Sequence, residues 1–199
     1  MVCDAIHKKN GRKVAVKMLK KANMKLLDLE LVKREIDVLK LCQHPNVIRL
    51  LDIFENQEYI YLIMEILHED LYVYLEKRSF QVSEIRACSL IHSLATALFY
   101  LHSYGIVHRD MKLDNIMMTD ESDESDVKLV DFGLSKIVGP KETCEEPYGT
   151  LGYAAPEVLR RIPYTNAVDI WGLGIIAYIL LTGMSPFEDD SDDEVLRYL

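Results

Sequence analysis

Three short motifs stand in one order along this chain: Val14-Ala15-Val16-Lys17, His108-Arg109-Asp110-Met111-Lys112-Leu113-Asp114-Asn115, and Asp131-Phe132-Gly133. Taken singly, each has an ordinary explanation as a surface lysine, a turn-capping aspartate or a tight turn. Together they require a fold that brings a strand lysine, a loop carboxylate and an Asp/Asn pair to one place. The lysine lies within residues 13–18, where Val14, Val16 and Met18 alternate with more polar neighbours as in a half-buried strand.

The pattern around the motifs changes along the chain. Residues 47–54 and 59–66 are β-rich runs joined by a short polar turn. Between the first strand and these two, residues 23–41 carry Leu27, Leu31, Ile36 and Leu39 at helical spacing, and a Gln-His-Pro-Asn turn ends them. The first part therefore reads strand, helix, strand, strand. From Asp70 on, helices dominate. Ser83 is placed to cap a long amphipathic helix through Ile85, Ile91, Leu94, Leu98 and Leu101, closed by Gly105. Short β pieces are expected at 106–107 and 127–130, an irregular stretch to about Ala155, and an apolar helix over 168–181.

Composition narrows the function classes. The 199-residue chain has a net charge of −9 and a pI near 5.2, which disfavours a nucleic-acid or anionic-membrane surface. Cys3, Cys42, Cys88 and Cys144 form no CxxC pair, so reduced thiols are expected. No signal peptide or membrane span is read, and a cytoplasmic location is expected. Two acidic runs, 120–126 and 188–194, read as solvated surface; neither has the ligand spacing of an EF-hand calcium loop.

The motif residues match the needs of phosphoryl transfer, which is mostly positioning and neutralisation of charge. Lys17 can meet the α/β-phosphates of ATP. Asp131 and Asn115 offer oxygens to Mg2+. Asp110 can orient an attacking hydroxyl and accept its proton.

On these motifs the sequence resembles the eukaryotic protein kinase superfamily along essentially its whole length. The resemblance implies an α+β, bilobal fold with a small β-rich lobe at 1–67 and a helical lobe at 68–199, with ATP and Mg2+ as cofactors. It matches Glu35 to the helix glutamate that pairs with Lys17, Ala155-Pro156-Glu157 to the end of the activation segment, and Asp169 to a buried aspartate beneath the catalytic loop. Met64, Glu65 and Leu67 become gatekeeper and hinge, with Val2, Ala15, Leu71 and Met117 around the adenine ring. Leu39, Leu50, His108 and Phe132 become a stacked column between the lobes. Lys112 and Thr150 fit the serine/threonine-specific pattern, so serine or threonine side chains of protein substrates are the expected acceptors. GTLGYAAPEVL and GIIAYILLTGMSPF look most like the calmodulin-dependent and calcium-dependent kinases, whereas the hinge MEILHEDLYVYL is closer to cyclin-dependent kinases.

The same resemblance places the glycine-rich phosphate loop upstream of residue 1 and the closing helices after Leu199, so the chain is expected to be incomplete at both ends. A truncated, inactive kinase-like interaction protein is the alternative; an in-frame GxGxxG upstream would separate the two. A calmodulin-binding or calcium-binding regulatory region would lie outside this chain. For Asp70 two roles stand: contact with the ATP ribose, or, with Asp114, recognition of basic residues upstream of the target. In the activation segment, Glu146 lies four residues before Thr150, where related kinases carry a phosphorylated residue. It is expected to pair with Arg109 as a built-in anion, with Thr143 as the competing phosphosite.

Overall fold

The computed structural model describes residues 1–187; the acidic run at 188–194 lies outside the described residues. The small lobe is an antiparallel sheet of β1 (Val2–Ile6), β2 (Lys13–Lys20), β3 (Leu50–Glu55) and β4 (Tyr59–Met64), in spatial order β1-β2-β4-β3. A 3-10 turn (Lys21–Asn23) leads from β2 into α1 (Leu26–Leu41). Strand β1 is absent from the sequence reading. It is an edge strand exposed along most of its length, so it lacks the alternation that marks the others. Its register, Val2 opposite Lys17 to Ile6 opposite Lys13, sets Val2 beside the motif lysine.

Helix α1 turns a different stripe to the core than its leucine spacing suggests. Val32, Glu35, Val38 and Leu39 are buried, whereas Leu27 is 61% exposed. Glu35 can occupy the inward face because its carboxylate meets Lys17 there.

The large lobe begins with α2 (Leu71–Glu76) and α3 (Glu84–Ser103). Asp70 Oδ1 accepts from Val73 N at 2.8 Å, and Ser83 Oγ accepts from Arg86 N at 3.2 Å, so each helix start has a side-chain cap. Ala87, Leu90, Leu94, Ala97, Leu98 and Leu101 form the buried stripe of α3. Ile85, read as the first member of that stripe, is 84% exposed: it lies in the first turn, before the helix reaches the core. Gly105 ends the helix at φ +70°, and a Cβ there would stand 2.5 Å from the Val138 carbonyl oxygen.

Then follow β5 (Ile106–Val107), a 3-10 turn (Leu113–Asn115), β6 (Ile116–Met118), β7 (Val127–Leu129), β8 (Lys136–Ile137), α4 (Pro156–Leu159) and α5 (Ala167–Thr182). β6 pairs with β7 and β5 with β8. One apolar core runs through both lobes, from Val38 and Leu62 through Leu71, Leu98 and Phe132 to Ile176. Each such leucine contributes about 1.5–3 kcal/mol through burial. The acidic loop at 120–126 is tied down by an Arg78–Asp123 pair and buried Ser125. No helix among the described residues is long and apolar enough to cross a membrane.

Candidate active site

Lys17 sits on β2 with Ala15 on the cleft side of the sheet, while Val14 and Val16 are buried. Its Nζ is 2.6 Å from Glu35 Oε1 and 3.2 Å from Asp131 Oδ1. Burial disfavours the ammonium, but the two carboxylates outweigh it and the Lys17 pKa is raised overall. Burial likewise pushes the Asp131 carboxyl up, and Lys17 beside it more than compensates, leaving its pKa lowered. The two shifts agree: at neutral pH the pair is an ammonium against a carboxylate.

Below it, the loop after β5 assembles the second motif. Asp110 Oδ1 accepts from Thr150 Oγ1 at 2.6 Å, and Lys112 Nζ lies 3.0 Å from Asp110 Oδ2 and 2.9 Å from Thr150 Oγ1. Asn115 Nδ2 donates to both the carbonyl and Oδ2 of Asp110, each at 2.8 Å. The backbone behind this loop is held by Asp169 on α5. Its Oδ2 accepts from His108 N at 2.9 Å and its Oδ1 from Arg109 N at 2.8 Å. Arg109 and Asp131 both lie in the left-handed region, at φ +70° and +56°. Such conformations are costly for non-glycine residues and persist where surrounding bonds impose them.

Between the lobes lies a cavity of about 390 Å³ lined by Val2, Ala15, Lys17, Met64, Glu65, Leu67, Met117, Asn115 and Asp131, among others. Its walls are mainly apolar, with the Lys17–Asp131 charges at one end. At the hinge, Glu65 N is already bonded to Arg49 O at 3.1 Å. The Glu65 carbonyl and both backbone groups of Leu67 have no backbone partner among the described residues, leaving one donor and two acceptors along the cavity edge. A groove of about 440 Å³ between the end of α1 and β3 is lined by no residue of the three motifs.

Two residues of the expected set, Leu71 and Asp70, do not line this cavity. Leu71 is fully buried in the core and does not reach the cavity. Asp70 does not line it either; its carboxylate caps α2, which is the bond a residue at a helix start makes most readily. Asp114, in contrast, does line the cavity.

Residues 1–198 match the protein kinase domain family. The chain belongs to the protein kinase family. Among its relatives, a calcium/calmodulin-dependent protein kinase type 1 of Macrobrachium nipponense is 40% identical over 92% of this chain and 52% of its own length. Myosin light chain kinase A of Dictyostelium discoideum is 36% identical over 97% of this chain and 65% of its own length. A serine/threonine-protein kinase of Caenorhabditis briggsae is 36% identical over 96% of this chain and 16% of its own length. The chain thus spans only part of each of these relatives, from 16% to 65% of their length.

As a kinase domain it has its interlobe column in place: Leu39 and Phe132 share the core, Leu50 packs against it, and the His108 and Phe132 rings meet edge-on at 5.1 Å. In the activation segment, Arg109 Nη1 reaches Glu146 Oε2 at 3.0 Å and Nε reaches the Leu134 carbonyl at 2.6 Å, with the Arg109 side chain fully buried. Lys136 Nζ adds a second cation 3.2 Å from the same carboxylate. Partial burial pushes the Glu146 carboxyl up, but its own backbone N–H, Lys136 and Arg109 pull it down further, to about 2.

Sequence reading missed His102, whose Nε2 lies 2.8 Å from Asp169 Oδ2. The signal was available: position 102 follows Leu98 by four residues, so a polar side chain occupies a place the helical period assigns to the core.

Proposed function

We propose that this domain transfers the γ-phosphoryl group of ATP to serine or threonine side chains of proteins. The observation that carries the reading is the convergence of Lys17–Asp131 and Asp110–Lys112–Thr150 on one cleft.

Each residue then has a physical task. The Val2, Ala15 and Met117 side chains cover the adenine faces, and the hinge groups of Glu65 and Leu67 satisfy its polar edge. Glu35 fixes the Lys17 ammonium where it neutralises the α/β-phosphates. Asp110 orients the substrate hydroxyl and accepts its proton. Lys112, tied to Asp110 and Thr150, holds positive charge beside the transferring group.

Mg2+ fits the donor set. Asn115 uses only its Nδ2 in hydrogen bonds, and Asp131 Oδ2 has no partner among the described residues, so two hard oxygens remain on the cavity wall. A magnesium ion completed by phosphate oxygens and water needs only one or two such protein ligands. When bound it would neutralise charge developing on the phosphates.

Several finer assignments belong to the same proposal. The lobe boundary falls at Leu67, just past the end of β4. The relatives named above support placement with calcium/calmodulin-dependent kinases; a calmodulin-binding or calcium-binding regulatory region outside this chain and action in the cytoplasm are parts of the same proposal. Asp114 on the cavity wall supports a preference for basic residues upstream of the target. Asp70 contributes less to it, since one of its carboxylate oxygens caps α2. Glu146 is the anion that orders the activation segment, in place of an added phosphate at Thr143.

The test is a peptide-phosphorylation assay on the intact protein with ATP and magnesium. Phosphoserine or phosphothreonine product supports the reading. Product on tyrosine alone, or no turnover with ATP bound, contradicts it.

A further inference from the structure

Arg109 offers only donors, on a side chain with no exposed surface. Nε donates to the Leu134 carbonyl at 2.6 Å and Nη1 to Glu146 Oε2 at 3.0 Å. Nη2 is buried and has no hydrogen-bond partner among the described residues. Cys144 and Tyr164 stand near the guanidinium, but neither bonds to Nη2. A buried donor left unsatisfied on a charged group is costly, so another kind of partner is called for. An aromatic ring is in place: Arg109 Cζ lies 4.8 Å from the centre of the Tyr148 ring. The void beside them, lined by Arg109, Tyr148, Gly149 and Thr150 among others, holds about 10 Å³, room for no more than about one water.

We propose that Tyr148 is a positioning residue for phosphoryl transfer, its ring face holding the Arg109 guanidinium against Glu146. The negative face of the ring meets the cation where its N–H groups lack an oxygen partner. The bulk of the ring also keeps water away from the Arg109–Glu146 pair, which strengthens the attraction between the two charges. Arg109 immediately precedes Asp110. A guanidinium held by both a carboxylate and a ring therefore steadies the backbone from which Asp110 reaches Thr150 and Lys112.

The sequence Glu146-Pro147-Tyr148 mounts anion and ring as one unit. Tyr148 N donates to the Glu146 carbonyl at 2.8 Å and closes a three-residue turn with Pro147 at its centre, where the proline ring presets φ. The same carbonyl accepts from Tyr164 Oη at 2.6 Å. Gly149 follows at φ +150°, a conformation that strains any side chain, and the chain turns there so that Thr150 meets Asp110. Tyr148 is absent from the wall of the nucleotide cavity, so it acts through Arg109 without touching ATP.

The proposal rests on the phosphoryl-transfer reading and on Glu146 as the ordering anion, and its test separates them. Steady-state kinetics and denaturant midpoints are measured on the intact wild type, Tyr148→Phe, Tyr148→Leu, Glu146→Gln and the Tyr148→Leu/Glu146→Gln double variant. The same is done with phenylalanines of increasing ring fluorination at position 148. Tyr148→Leu should lower kcat about threefold or more with KM for ATP within about twofold, while Tyr148→Phe keeps most of kcat. Across the fluorinated series kcat and midpoint should fall step by step, as electron density leaves the ring face at nearly constant shape. The midpoint loss from Glu146→Gln should be smaller in Tyr148→Leu than in the wild type. Wild-type kcat in Tyr148→Leu overturns the proposal, as do equal losses in Tyr148→Phe and Tyr148→Leu. A flat fluorinated series, the mark of packing or of a trapped water on Nη2, overturns it too, and so do additive losses in the double variant. If Tyr148→Leu does not fold, the fluorinated series decides. If the wild type shows no turnover, or Glu146→Gln leaves activity unchanged, the corresponding reading fails, while midpoints along the fluorinated series still test the hold of the ring on Arg109.

Discussion

Glu146 lies 3.0 Å from the guanidinium of Arg109, a side chain with no exposed surface, immediately before the catalytic-loop Asp110. The pair joins the activation segment to the catalytic loop through charges that belong to the chain itself. Lys136 on β8 shares the carboxylate, and Tyr164 Oη donates to the Glu146 carbonyl at 2.6 Å, so three segments meet at one residue.

Replacing Glu146 with glutamine should leave the fold intact and loosen the activation segment. A charge-assisted bond contributes about 1.5–3 kcal/mol, and the 33% exposure of this side chain argues for the lower end. Phosphatase-treated wild type should keep its activity, Thr143→Ala should match it, and Glu146→Gln should lose a large part of kcat. Activity abolished by phosphatase and indifferent to Glu146→Gln would assign the anion elsewhere.

The same carboxylate gives a pH signature. Its folded pKa, about 2, lies below the ordinary 4.5, so its stabilisation is complete above 4.5 and is lost as pH falls from there toward 2. Denaturant midpoints of wild type and Glu146→Gln should therefore differ at neutral pH and converge in that acid window. A constant gap would mean that the carboxylate is not the titrating group.

Most of the site was legible because its chemistry is carried by local motifs, and most of the fold because its helices and inner strands keep their periods. Strand β1 was not legible, because an exposed edge strand shows no alternation. Leu27 and Ile85 were misassigned for a related reason: both stand in the first turn of a helix, where the spacing continues but the core has not begun. Asp70 and Leu71 share their place in the chain with cleft residues of related kinases. Which way each points depends on the start of α2, and no sequence period reports that.

Gly172 on α5 supports the catalytic loop by having no side chain. A Cβ there would stand 2.6 Å from Met111 Cβ and 3.2 Å from its carbonyl, one residue after Asp110. Gly172→Ala should cost about 1–3 kcal/mol of stability, as overpacking does. It should lower kcat more than KM for ATP, in the same assay. Unchanged melting and unchanged kcat would show that the loop can move aside freely.

Thr150 ties the activation segment to Asp110 and Lys112 through one hydroxyl. Thr150→Val keeps the shape and removes both bonds. It should reduce kcat about tenfold or more while Thr150→Ser retains most of it, measured with a serine peptide. Equal activity of the valine and serine variants would remove the hydroxyl from the mechanism.

The central claim is that Lys17, Asp110 and Asp131 form one phosphoryl-transfer site. It is tested most directly by transfer of labelled γ-phosphate from ATP to a serine/threonine peptide, in the intact protein and in Lys17→Met, Asp110→Asn and Asp131→Ala. The account predicts clear transfer by the wild type and a loss of about 100-fold or more in each variant, with the folded state retained. Near-normal transfer by any of the three folded variants would contradict it.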